Sequence, residues 1–204
     1  MKVIKRCTDI TYDEIKLFEH NGYVSIDTET TGLDYVRDNL CTIQIFSEDY
    51  ALVIKFDSKI EYNNLKEVLY SKSIVKIFHN APFDVSFLMR NLKMETFGNL
   101  VCTKIASKII HGLEHNNSLQ SLLKEYLGVI ISKEERLSDW SKEELSKSQI
   151  GYAINDVRYL YKLWKELSKI LSSNNLEDIA IKSFEFVPTY VKLLNKGIDN
   201  IFTY

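Results

Sequence analysis

Three short runs in which apolar and polar residues alternate follow one another along the first third of the chain: YVSIDTE at Tyr23 to Glu29, LCTIQIF at Leu40 to Phe46, and YALVI at Tyr50 to Ile54. A period of two puts one row of side chains on each face of a strand, and turn material such as GLD and SED between the runs joins them as neighbours. A chain patterned this way builds a sheet first and must then cover its faces. The cover follows. A helical stretch lies near residues 62–70, an apolar strand IVKIF runs from Ile74 to Phe78, and a helix over Ala81 to Asn91 carries Phe83, Phe87 and Leu88 at helical spacing. From Thr103 onward the period is almost wholly helical, with start signals at Ser118, Ser132, Ser141 and Ser148 and a break at Leu127-Gly128. A meander, a strand-helix crossover and a helical second half predict the α/β class, a mixed sheet with helices packed on it.

With 45% hydrophobic residues in 204, the chain can bury one sizeable core, and a single domain over residues 1–204 is expected. A formal net charge of -2 provides no cationic field to hold a long duplex by counterion release, so any polyanion handled here is short or locally gripped. No window approaches the roughly 18 consecutive apolar residues of a membrane helix. Three cysteines, Cys7, Cys41 and Cys102, make an odd count without a metal-type pair, and the opening MKVIKRC shows no apolar leader. Reduced thiols and a cytoplasmic location are therefore expected. Residues 177–204 hold an aromatic-rich tail, FEFVPTYVKLLNKGIDNIFTY, expected to pack on the core or to form an association surface with other copies of the chain.

Chemistry concentrates in a few acids. Asp27 and Glu29 stand at i and i+2 near the end of an otherwise apolar strand and so share one face. Two carboxylates side by side on a half-buried strand repel each other unless a cation lies between them. Asp27 could equally start a turn, with Glu29 solvated at the strand end. Asp84 falls early in the helix that HNAPFDVSFL opens, a place the helix dipole also favours for an acid. In QIGYAINDVRYLYKLW, Tyr152 and Asp156 are four apart and project from one helix face.

Taken together, DxE on a strand, an acid on a later helix and YxxxD on a third element resemble the DEDD exonucleases with tyrosine in the last motif. CTKIAS, SDW at Ser138 to Trp140 and YAINDVRYL are similar in order and spacing to ribonuclease D-like proteins. Chain length, NLCTIQI, KIFH, CTKIASK and the ending SFEFVP with IDNIF resemble the short oligoribonucleases of the nano-RNase C family, while HNAPFD looks closer to the proofreading exonuclease domain of family A DNA polymerases. No helical nucleic-acid-binding extension of the ribonuclease D kind is expected.

The resemblance implies a DnaQ-like, ribonuclease H-like exonuclease fold with a five-stranded mixed sheet. It implies two divalent cations, Mg or Mn, on Asp27, Glu29, Asp84 and Asp156, an oxygen-donor set that suits these hard ions. Tyr152 would orient the attacking water during two-metal phosphodiester hydrolysis. Thr30 would meet the terminal 3′ hydroxyl and Leu33 would wedge between the last two bases, unless Leu33 is a plain turn hydrophobe. His79 and Asn80 could touch sugar or phosphate, His79 being equally readable as a satisfied interior histidine. Lys104, Ser107 and Lys108 share a helix face by spacing and could clamp a far phosphate or form a solvated face. Trp140 reads as packing. The implied substrate is short RNA, down to dinucleotides, cut to mononucleotides by a cytoplasmic homo-oligomer, a closed ring that the resemblance extends to eight subunits, with no membrane contact. The alternatives are a 3′-to-5′ exonuclease on longer RNA or DNA, and a non-catalytic nucleic-acid-binding protein. HGLEH, with His111 and His115 flanking Glu114, superficially suggests zinc, but Gly112 points to a loop and the local sequence supplies no third ligand, so zinc is not expected there.

Overall fold

A computed structural model describes residues 1–132, 134, 135 and 137–202. Six strands, β1 (Lys2–Arg6), β2 (Tyr23–Thr30), β3 (Leu40–Ser47), β4 (Tyr50–Lys55), β5 (Val75–Phe78) and β6 (Leu100–Cys102), form one sheet in the order β1-β4-β3-β2-β5-β6. β2, β3 and β4 are the antiparallel meander, and β1, β5 and β6 each run parallel to their neighbour. The sheet is mixed as expected, but it has six strands where the resemblance implied five. Both strands that the alternation did not reveal lie at edges. β1 pairs only with β4 and its KVIKR is mostly exposed, while β6 has three residues, too few for a period to show.

Eight helices cover this sheet among the described residues: α1 (Tyr12–Asn21), α2 (Asn63–Tyr70), α3 (Ala81–Leu92), α4 (Thr103–His111), α5 (Leu119–Leu127), α6 (Lys147–Arg158), α7 (Leu160–Ser173) and α8 (Glu177–Leu194). α1 starts at a capping box in which Thr11 accepts from the Glu14 N–H and the Glu14 carboxylate accepts from Thr11, satisfying two donors that a helix start leaves open. The Glu14 carboxylate also receives the Arg6 guanidinium at 2.9 and 2.6 Å, tying β1 to α1. Ser118 caps α5 as expected, and Gly128 ends it in the left-handed region at φ 65°. Among the described residues, no helix starts at Ser132, Ser141 or Ser148. α6 begins two residues earlier than Ser148 would place it, because Ser146 and Gln149 form a reciprocal capping box.

The core divides across the sheet. On one face Ile26, Ile43, Ile45, Leu52 and Ile54 pack with Phe18, Leu65 and Phe87; on the other, Phe46, Ala51 and Val53 meet Ile154 and Val157 of α6. α8 lies against α3, α4, α7 and β6 and buries Phe184 edge-on to Trp164, with ring centroids 5.7 Å apart. Part of the tail is thus core, while Ile179, Ile181, Phe186, Ile201 and Phe202 stay exposed; Thr203 and Tyr204 lie outside the described residues. No helix of the described residues is long and apolar enough to cross a membrane, and all three cysteines are free. For the site, the decisive feature is that β2 runs in the middle of the sheet, so that α3, entered from β5, and α6, laid over β2, β3 and β4, meet at its carboxyl end.

Candidate active site

β2 delivers Asp27 and Glu29 to the face that α6 covers, directly across from Gln44 and Thr42 of β3. Asp156, in the last turn of α6, completes a group in which one carboxylate oxygen from each residue lies within 4.8 Å of the others. Asp84 comes from α3. Its Oδ1 accepts from the Thr28 N–H at 3.0 Å and from the Thr28 hydroxyl at 2.8 Å, which fixes the buried carboxylate against β2. Thr28 was not anticipated as part of the site. The available signal was a hydroxyl in the row that otherwise holds Val24 and Ile26, where an apolar residue would serve the core better.

Burial and mutual repulsion make this group unstable as four anions. Burial first, then the charges of Asp84, Glu29 and Asp156, push the Asp27 carboxyl well above its ordinary value. Glu29 is pushed to about 9 by burial and by Asp156 and Asp84. Burial also raises Asp84 and Asp156 to about 7, against the lowering hydrogen bonds from Thr28 and Tyr152 respectively. The all-oxygen donor set is the one hard divalent cations take, and positive charge between these oxygens would remove the repulsion. The residues therefore fit such ions.

Tyr152 lies one helical turn before Asp156, and its ring sits 6.1 Å from that of Trp140. Burial and the adjacent carboxylates raise its phenol pKa, so it remains a hydroxyl that can donate or accept but not a phenolate base. Trp140 is 2% exposed against Cys41 and Ala153, so it packs as expected. Its loop is pinned by the Lys55 ammonium, which donates to the Trp140 carbonyl at 2.9 Å, and by Gln149, which donates to the Asp139 carbonyl and the Ser138 hydroxyl.

Other residues singled out in the sequence divide clearly. Thr30 ends β2 with its hydroxyl donated to the Gly32 carbonyl at 2.6 Å. Leu33 is 82% exposed on the loop after β2. That loop is braced, because Arg90 of α3 donates to the Tyr35 and Asp38 carbonyls and the Asp38 carboxylate accepts from the Asp34 N–H. His79 Nδ1 bonds the Thr103 hydroxyl at 2.9 Å, and burial, with Lys104 nearby, lowers its pKa to about 3, so it is a neutral, satisfied histidine. Asn80 is exposed at the start of α3 without a side-chain cap bond. The shared face proposed for Lys104, Ser107 and Lys108 does not form: Ser107 is fully buried and gives its hydroxyl to Asn117, leaving only Lys104 and Lys108 in reach of solvent. A cavity of ≈ 640 Å³ between β6, α7 and α8 is lined by none of the four acids, so the donor set and not cavity size marks the site.

Residues 3–172 match the family described as 3′-5′ exonuclease. Ribonuclease D of Bartonella henselae is 32% identical over 177 residues, 85% of this chain and 42% of that protein, so the chain spans less than half the length of this curated relative. Two solved structures are similar end to end. Brucella melitensis NrnC bound to pGG superposes with a TM-score of 0.89 at 34% identity, covering 100% of this chain and 99% of that one. The same Brucella protein with bound Mg2+ gives 0.88 at 33% identity, covering 100% of both.

Proposed function

The chain belongs to the DEDDy, ribonuclease D-like group of 3′-5′ exonucleases, and from that premise we propose that it is a metal-dependent exoribonuclease cutting short oligoribonucleotides, dinucleotides among them, to nucleoside monophosphates. The observation that carries the reading is the group of Asp27, Glu29 and Asp156 oxygens within 4.8 Å of one another, with Asp84 fixed beside them by Thr28. Asp27, Glu29, Asp84 and Asp156 would hold two divalent cations, Mg or Mn, which when bound supply charge neutralisation at the phosphate and activation of water. The bound Mg2+ of the Brucella nuclease supports that choice.

The chain's own side chains do the rest. Tyr152, kept protonated, receives or donates the hydrogen bond that aims the attacking water along the line of the breaking bond. Leu33, exposed on a braced loop one residue beyond Gly32, parts the last base from its neighbour, and Thr30 meets the terminal 3′ hydroxyl. Lys104 and Lys108 lie on the element after β6 and serve a second phosphate. Residues 1–204 act as one exonuclease domain, and three unpaired thiols suit a reducing cytoplasm.

A short substrate is favoured by the net charge of -2 and by the whole-chain likeness to a nuclease bound to pGG. The match to a ribonuclease D favours a second reading, steady shortening of longer RNA. A time course on 5′-labelled RNAs of two to seven nucleotides and a DNA duplex, with Mg, Mn or EDTA, separates them. The dinucleotide is expected to vanish fastest; equal shortening of every length, or a preference for DNA, would select the open-ended site. The exposed Ile179, Ile181 and Phe186 on α8 further support a homo-oligomer, a closed ring of up to eight subunits. Sedimentation should then give a multiple of 23.8 kDa, and a mass at that value would remove the ring.

A further inference from the structure

Among the described residues, the four acids leave one other group of metal-type donors unexplained. His111 is the last residue of α4, and Gly112, at φ 82°, turns the chain so that His115 folds back on it, with ring centroids 4.4 Å apart. Glu125 of α5 reaches the same point, its Oε2 3.1 Å from His115 Nε2. One donor atom from each of His111, His115 and Glu125 lies within 4.8 Å of the other two. The third ligand that the HGLEH segment lacks is therefore supplied not by Glu114 but by the next helix, which sequence spacing does not reveal.

We propose that His111, His115 and Glu125 bind a transition divalent cation of the zinc class and staple α4 to α5. Two imidazoles and one carboxylate are the donors such ions select, whereas the β2 site offers oxygen alone, so the two sites differ in the metal they prefer. The surroundings hold the donors in place. The Tyr126 hydroxyl lies 2.5 Å from His111 Nε2 and steers that ring. Asn117, 7% exposed, donates to the Gly112 and His115 carbonyls at 3.2 and 2.8 Å and accepts from the Ser107 hydroxyl, which fixes the loop between the histidines to α4. Both histidines are half-buried and Glu125 is exposed, so an ion can enter from solvent and keep a water as its fourth ligand.

The test uses the full metal-free chain with Asp27→Asn and Glu29→Gln, which remove the competing site. Zinc titrated into it by calorimetry should bind one equivalent per chain, and cobalt(II) should show the intense visible absorption of a tetrahedral site. His115→Ala in the same background should abolish both, and Tyr126→Phe should weaken zinc by about 10-fold or more. Thermal stability should rise with zinc only while the three ligands are intact. If the double variant does not fold, the cobalt spectrum of the otherwise unaltered chain in saturating Mg, with and without His115→Ala, answers the same question. No bound equivalent, or zinc affinity unchanged by His115→Ala, would overturn the proposal and leave a plain His115-Glu125 pair.

Discussion

Asp27→Ala is expected to lower phosphodiester hydrolysis on the order of 10³-fold or more while leaving the chain folded, and in metal-free solution somewhat more stable than the parent. The two effects have one cause. Asp27 is half-buried beside Glu29, Asp84 and Asp156, and as an anion it repels all three. Removing it relieves that repulsion but takes away an oxygen that the cations need. Charge stabilisation by bound metal is worth several kcal/mol in a transition state, and about 1.4 kcal/mol is a factor of ten in rate, which sets the size of the loss. Single-turnover hydrolysis of a labelled dinucleotide, with the melting temperature measured in EDTA, checks both halves. Activity retained in the pure variant would sink the metal-site reading. A variant that is inactive but unfolded would say nothing for it, so the melting curve is the necessary companion.

Features set by local period were legible before any coordinates. β2, β3 and β4 follow from alternation, and Asp27 with Glu29 and Tyr152 with Asp156 share faces because strand and helix geometry requires it. Features set by partners distant in sequence were not. α4 turns Thr103, Ala106 and Ser107 inward, where Ser107 donates to Asn117, whereas helical spacing alone put Ser107 beside Lys104 and Lys108 in solvent. Thr28 and Asp84 meet across 56 residues, and nothing near either announces the other. Glu125 approaches His115 from α5, which Ser118 caps after the chain has turned at Gly112, a meeting of two elements that spacing within HGLEH does not announce. The start of α1 belongs to another class: Thr11 and Glu14 spell a capping box, a local signal that the strand-rich context overshadowed.

Metal-free chain should lose stability as the pH rises from about 5 to 9, and Mg or Mn should abolish that loss. Four carboxyls with raised values in the folded state produce the effect: Asp27 well above its ordinary range, Glu29 at about 9, Asp84 and Asp156 at about 7, all through burial before any other cause. Below about pH 4 these acids are protonated whether the chain is folded or not, and they contribute no difference. Between there and their folded values the folded chain holds protons that the unfolded chain has released, so raising the pH favours unfolding. One carboxyl displaced to about 7 is alone worth about 4 kcal/mol once fully ionised, or ~10 °C in melting temperature for a chain of this size, and the four are too strongly linked for their effects to add. Bound cations reverse the sign by making the ionised form the stable one, so metal affinity should climb over the same pH window. Melting curves in EDTA and in Mg across that range check this directly, and Asp156→Asn should flatten the EDTA series. A metal-free melting temperature that holds level from pH 5 to 9 would mean that solvent reaches these carboxylates and relieves their repulsion without any ion.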